Sequence, residues 1–131
     1  MKTLTFSTSK KFEFINITEK VKEVVRKSNK KEGIVLVFVP HATAAVILNE
    51  SWDPKVGEDI LTALDKVIPL HDGWKHDKVD DNAASHIKSA IVGPSELIPL
   101  ENGELQLGQW QQITLLDFDG PRQRKVFIKI I

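Results

Sequence analysis

The sequence predicts an α+β protein: mostly antiparallel sheets with two or three helices packed on them. Three observations carry this. Ile34 to Val39 is a continuous, β-branched apolar run too short for a helix. Asp53-Pro54 opens a segment with helical apolar spacing. The last third reads as short strands joined at turn signals, Asn102-Gly103 and Asp119-Gly120-Pro121.

Taken in order, Leu4 and Phe6 alternate with polar neighbours, as do Phe12 and Phe14, giving two half-buried strands. Thr18 is the expected N-cap of a helix to about Lys27, with Val21, Val24 and Val25 at helical spacing. Lys30-Lys31-Glu32-Gly33 closes it. The Ile34–Val39 strand is expected to be covered on both faces. Ala44 to Leu48 is the next strand, and alternation puts His41, Thr43, Ala45, Ile47 and Asn49 on one face. The helix after Asp53 has Val56, Ile60, Leu61, Leu64 and Val67 as its stripe, and Pro69 stops it. Leu70 to Asp81 is polar and irregular. A shorter helix from Asn82 to about Val92 is expected to bury Ala83, Ile87, Ala90 and Ile91, leaving Asn82, Ser85, His86 and Ser89 as a polar stripe. Strands at 96–100, 104–107, 112–118 and 125–131 complete the chain, the last of them interior because both its faces are apolar.

The 131 residues are expected to form one domain, 1–131, with a core that needs no disulfide or metal. Eighteen basic residues balance eighteen acidic ones, so no general attraction to nucleic acid or to an anionic membrane follows. The absence of cysteine removes thiolate chemistry and Cys-based zinc sites. No apolar stretch approaches the roughly 20 residues of a spanning helix, and the N-terminus lacks the apolar region of a signal peptide. The expectation is a soluble, cytoplasmic protein. Neither glycine-rich phosphate loop is present, which argues against a nucleotide cofactor.

Three constellations carry chemistry. His41, His76 and His86 supply three imidazoles, a set that suits zinc and leaves one position open. Glu50, Asp80 and Asp81 stand near them in sequence as orienting or additional ligands. Spacing alone does not separate this set from ordinary hydrogen-bonded histidines. Arg122 and Arg124 follow a turn on one side of a strand start, where two guanidiniums would clamp one anion, with Lys88 as a third cation. Gly108-Gln109-Trp110-Gln111-Gln112 offers a flat aromatic surface and amides for a heterocycle.

These segments together resemble the YjbQ family, small proteins described as secondary thiamine-phosphate synthases. The resemblance rests on His41-Ala-Thr-Ala-Ala45 with Asn49-Glu50, Asp81-Asn-Ala-Ala-Ser-His-Ile-Lys88 and Gly93-Pro-Ser95. It continues through Gly103-Glu-Leu-Gln-Leu-Gly-Gln-Trp-Gln111 and Phe118-Asp-Gly-Pro-Arg-Gln-Arg124. It implies a compact sandwich assembling as a homotrimer, with a polar cleft near a subunit boundary. The family's histidines match His41, His76 and His86, whereas His71 has no counterpart; Gln109 and Asp117 stand where the family usually has threonine and often glutamate. The implied chemistry joins a pyrimidine diphosphate to a thiazole phosphate, with cations or magnesium on the departing pyrophosphate. Candidate catalytic residues are therefore His41, His76, His86, Glu50 and Asp81. Candidate contacts to a small phosphorylated metabolite are Asn49, Asn82, Lys88, Trp110, Gln111, Arg122 and Arg124. A divalent metal, zinc or magnesium, on the three histidines would instead support hydrolysis of a phosphorylated or cyclic metabolite. A third reading is a non-catalytic metabolite- or metal-binding module.

Overall fold

Alternating and continuous apolar stretches become eight strands, and helical spacing becomes three helices, in the computed structural model, which describes residues 1–131; a fourth, single-turn helix forms inside the segment expected to be irregular. The order is β1 (Lys2–Ser7), β2 (Glu13–Asn16), α1 (Thr18–Ser28), β3 (Gly33–Phe38), β4 (Ala44–Asn49) and α2 (Pro54–Val67). The single turn α3 (Asp77–Asp80) and α4 (Ala83–Val92) follow, then β5 (Ser95–Glu101), β6 (Glu104–Leu105), β7 (Gln112–Asp117) and β8 (Gln123–Ile130). Two sheets form, a five-stranded β1-β8-β3-β5-β6 and a three-stranded β2-β7-β4, and every pairing is antiparallel. No helix is long and apolar enough to cross a membrane.

Period-2 alternation builds the core. Val35 and Val37 of β3, Ile98 and Leu100 of β5, and Val126 and Ile128 of β8 point inward from the larger sheet. They meet Ala44 and Val46 of β4, Ile113 and Leu115 of β7, and Ile17, Val21 and Val25 of the α1 segment. The opposite face of the smaller sheet carries Ala45, Leu116 and Phe118, against which Ile60, Leu61 and Leu64 of α2 and Val92 of α4 pack. α2 comes close because Gly57 has no side chain: a Cβ there would stand 2.8 Å from the Phe14 ring. Asp53 caps α2 as expected, its carboxylate accepting the Lys55 N–H at 2.9 Å. Asn102 and Gly103, at φ 53° and 77°, form the turn between paired Glu101 and Glu104.

Four local expectations change. Thr18 is not the cap of α1: Asn16 Oδ1 accepts the Thr18 N–H at 3.0 Å and its hydroxyl at 2.6 Å. The Thr18 hydroxyl oxygen in turn accepts the Ile113 N–H at 2.8 Å, stitching the helix to β7. β3 is buried on one face only; Ile34 remains 43% exposed, because nothing in this chain covers the outer side of the larger sheet. Val67 stands 77% exposed past the end of the α2 contact.

The largest change is in α4, which is rotated from the expected orientation: Ala83 is buried as expected and Ile87 is half-buried, but part of the polar stripe also faces inward. Ser85, Lys88 and Ser89 are buried, while Ala90 is exposed and Ile91 is 66% exposed. β4 is an edge strand, so its outer carbonyls need partners from elsewhere. Ser89 donates to Ala44 O at 2.7 Å and Ser85 to Phe118 O at 2.6 Å. Small hydroxyl side chains both allow close approach and satisfy the Ala44 carbonyl of β4 and the Phe118 carbonyl just past β7. Ser89→Ala is therefore expected to lower stability by about 1–3 kcal/mol by orphaning a buried acceptor, with Ile91→Ser within about 0.5 kcal/mol of wild type. Urea unfolding of both variants checks this, and the reverse order would mean that the apolar side of α4 faces the core.

Candidate functional site

At one end of the sandwich the inward faces turn polar. Alternation that places Val126 and Ile128 in the core places Arg124 there too, 3% exposed, and the same rule on β7 brings Asp117 in after Ile113 and Leu115. The two meet across the sheets, Arg124 Nη2 donating to Asp117 Oδ1 at 2.7 Å. Nη2 also donates to Thr43 Oγ1 at 2.8 Å. Asp117 Oδ1 accepts the Asp119 N–H at 2.9 Å, and Oδ2 accepts the Thr8 hydroxyl at 2.7 Å. These bonds offset much of the cost of burying the charge pair, while Arg124 Nε keeps no protein partner. Gly120 passes so close that a Cβ would collide with the Lys10 carbonyl and stand 2.7 Å from Thr8 Oγ1.

His41 lies beside this pair. The β3–β8 ladder ends at Phe38–Phe127, and beyond it His41 Nε2 accepts the Lys125 N–H at 2.8 Å. An imidazole nitrogen that accepts a backbone N–H carries no proton, so the neutral ring holds its proton on Nδ1. Burial lowers the His41 pKa, and the nearby Arg124 charge lowers it further.

Asp119 anchors the adjoining turn. It accepts from Asn82 Nδ2 at 2.9 Å, from Lys11 Nζ at 3.3 Å and from Arg122 Nη2 at 3.1 Å. Burial acts to raise its pKa, but the hydrogen bonds from Asn82 and Lys11, with the Lys11 and Arg122 charges, hold the carboxyl below its ordinary value. Asn82 brings the start of α4 to this end, where Asp77 Oδ1 accepts the Ala83 N–H at 2.9 Å. Three buried polar atoms have no protein partner: Asp77 Oδ2, Asn82 Oδ1 and Arg124 Nε. His86, one turn into α4, meets His76 edge to face with ring centres 4.8 Å apart.

Several predicted residues have different surroundings from those expected. No three His, Asp or Glu side chains gather where a metal could be held. His76 and His86 stand together, but His41 does not join them in one group and its Nε2 accepts the Lys125 N–H. Arg122 and Arg124 do not form one anion clamp, because each pairs with a separate carboxylate. Lys88 is not a free cation: 1% exposed, it reaches Asp65 at 3.1 Å and lies 4.3 Å from the Phe12 ring centre. Asp81 pairs with His71 at 2.7 Å, in an exposed loop.

Asn49, Glu50, Trp110 and Gln111 occupy the opposite end. The β4–β7 register runs from Ala44–Asp117 to Asn49–Gln112, five residues or about 17 Å along the strands. Trp110 is 58% exposed there, and Gln111 Oε1 accepts the Gly108 N–H at 2.8 Å. Sequence reasoning missed Thr8, Lys11, Thr43 and Asp119 as parts of the polar end. Thr8 and Asp117 are 109 positions apart, so no local pattern links them; the Asp-Phe-Asp run after an apolar strand was the available signal.

The family described as UPF0047 protein YjbQ-like matches residues 2–131. A UPF0047 protein of Archaeoglobus fulgidus is 43% identical over 128 residues, covering 98% of each chain. The UPF0047 protein YugU of Bacillus subtilis is 40% identical over 134 residues, covering 100% of this chain and 98% of its own. A crystal structure of an uncharacterized conserved YjbQ/UPF0047 protein from Clostridium acetobutylicum superposes with a TM-score of 0.96 at 46% identity over all of both chains. A protein of unknown function from Sulfolobus solfataricus, at 38% identity, also gives 0.96, over 98% of this chain and 94% of its own.

The lowered pKa values set a pH dependence. A group with a depressed folded pKa contributes stability above its unfolded value and loses it as pH falls toward the folded one. For His41 the loss begins below about pH 6.5, and for Asp119 below the ordinary 3.8. The melting temperature is expected to fall between about pH 7 and about pH 5, and to fall less in His41→Gln. Thermal scans across that window check this; equal slopes in both proteins would contradict a depressed His41.

Proposed function

The chain belongs to the UPF0047 YjbQ-like family, and we propose that it is a small transferase whose His41 end binds the leaving diphosphate of a phosphorylated metabolite. The observation that carries this is His41 itself, a neutral imidazole fixed by Lys125 with its Nδ1–H unengaged. Such a ring donates a hydrogen bond without abstracting a proton.

Thiamine-phosphate formation makes that demand. The bond from the pyrimidine's methylene carbon to a diphosphate oxygen breaks, and the oxygen leaves with the electron pair. The thiazole ring nitrogen supplies the pair for the new C–N bond. Donors and cations aimed at the departing oxygens lower the barrier. His41 Nδ1–H is one donor, and Arg122, whose side chain is 55% exposed, is the accessible guanidinium. Magnesium would enter with the diphosphate as part of the substrate.

Trp110 is the candidate stacking surface for the pyrimidine, with Asn49, Glu50 and Gln111 beside it. About 17 Å of strand separates these residues from the His41 end within one chain. A homotrimer in which one subunit's Trp110 end meets the next subunit's His41 end would complete the site. The exposed outer face of the five-stranded sheet, with Ile34 and Leu97, is the apolar surface available for such assembly.

A synthase assay on pyrimidine diphosphate and thiazole phosphate tests the reading. His41→Ala is expected to lower kcat/KM by about 10²–10³-fold, the scale of one lost leaving-group donor. Trp110→Ala is expected to be inactive alone, and co-refolding it with His41→Ala should restore a fraction of wild-type rate through mixed trimers. Unchanged turnover in His41→Ala would overturn the site. Absence of complementation would overturn its shared construction.

A further inference from the structure

The five-stranded sheet is wider than the three-stranded sheet it faces, and β1 is one of its edges. Near the start of β1 the inner face is met by α1, which leaves a groove of 670 Å³ between α1 and the β1–β8 pair. That volume lies within the range of small-molecule sites. The groove is remote from His41: β1 pairs Lys2 with Ile128 at the groove and Phe6 with Arg124 at the polar end, about 13 Å along the strand.

Its composition is specific. Leu4, Val24, Ile128 and Ile130 line it with apolar surface. Lys2 and Lys20, beside Ile128 and Val24, and Lys30 also line it, and none of them has a carboxylate partner; Lys129, paired with Leu36, turns its side chain to the outer face of the sheet. Glu23 is the one acidic lining residue, and Lys27 neutralises it at 2.9 Å. In a chain of zero net charge, three lysines without carboxylate partners around one apolar cleft make a local positive field. The apolar lining favours hydrocarbon or ring, the rim favours an anion, and the arrangement disfavours cations.

We propose that this groove binds a soluble amphiphilic anion: a phosphate, sulfate or carboxylate head on a short apolar chain or ring. The head sits among the lysine ammonium groups, and the body covers Leu4, Val24 and Ile128. The site is independent of the His41 end and of any reaction there.

Calorimetry with octyl phosphate below its micellar concentration tests this, with octyl glucoside as the neutral match. Saturable binding of octyl phosphate is expected, at least about tenfold tighter than the glucoside and weakening as salt rises. The double variant K2E/K20E, whose changes are at exposed lysines, is expected to keep the wild-type melting temperature and lose about tenfold or more in affinity. No saturable binding, equal affinity for the glucoside, or affinity unmoved in the double variant would overturn the proposal. Adsorption to anionic phosphatidylglycerol vesicles without octyl phosphate binding would also overturn it, assigning the lysines to a membrane surface instead.

Discussion

Arg124 enters the space between the sheets at a position in the strand pattern equivalent to Val126 and Ile128, and Asp117 meets it from the opposing strand. Neither charge is tolerable there alone. Filling their remaining hydrogen-bond capacity draws in Thr8 from the end of β1, Thr43 from the start of β4 and the Asp119 backbone. The turn through Gly120, the Asp119 anchor for Asn82 and the placement of α4 follow from that knot. The pair therefore closes one end of the sandwich and fixes what stands there. It also bears on His41, whose pKa is lowered by burial and by the Arg124 charge, with the Asp117 charge opposing them.

Most of the architecture was legible because it rests on local periodicity. Alternation found the strands, Asp53-Pro54 found the α2 start, and Asn102-Gly103 found the β5–β6 turn. Expectations failed where a neighbour's needs decide the outcome. The polar stripe of α4 faces the protein because the edge strand β4 offers the Ala44 carbonyl to Ser89 and the chain just past β7 offers the Phe118 carbonyl to Ser85. Hydropathy along the helix contains no information about those carbonyls. The open face of β3 is a similar case, since a continuous apolar run states that cover is favoured without supplying it.

The site was legible in its residue types more than in its grouping. His41, Asn82, Arg122 and Arg124 do come together at one end. Asn49, Glu50, Trp110 and Gln111 come together at the other, which strand register settles and sequence proximity to a motif does not. Ion pairing also reassigns charges that read as free: Lys88 belongs to Asp65, and Arg124 to Asp117. Accessible at the polar end are the His41 imidazole, the Arg122 guanidinium and Lys11 that both hold Asp119, and the neighbouring His76–His86 pair.

The most direct test of this account is a ¹⁵N and ¹H NMR titration of the His41 ring. A neutral ring at about pH 7, protonated on Nδ1 with Nε2 accepting, and titrating below about 6.5 is the predicted result. A proton on Nε2, or a titration above that value, would show that His41 is neither fixed by Lys125 nor held neutral by burial and the Arg124 charge.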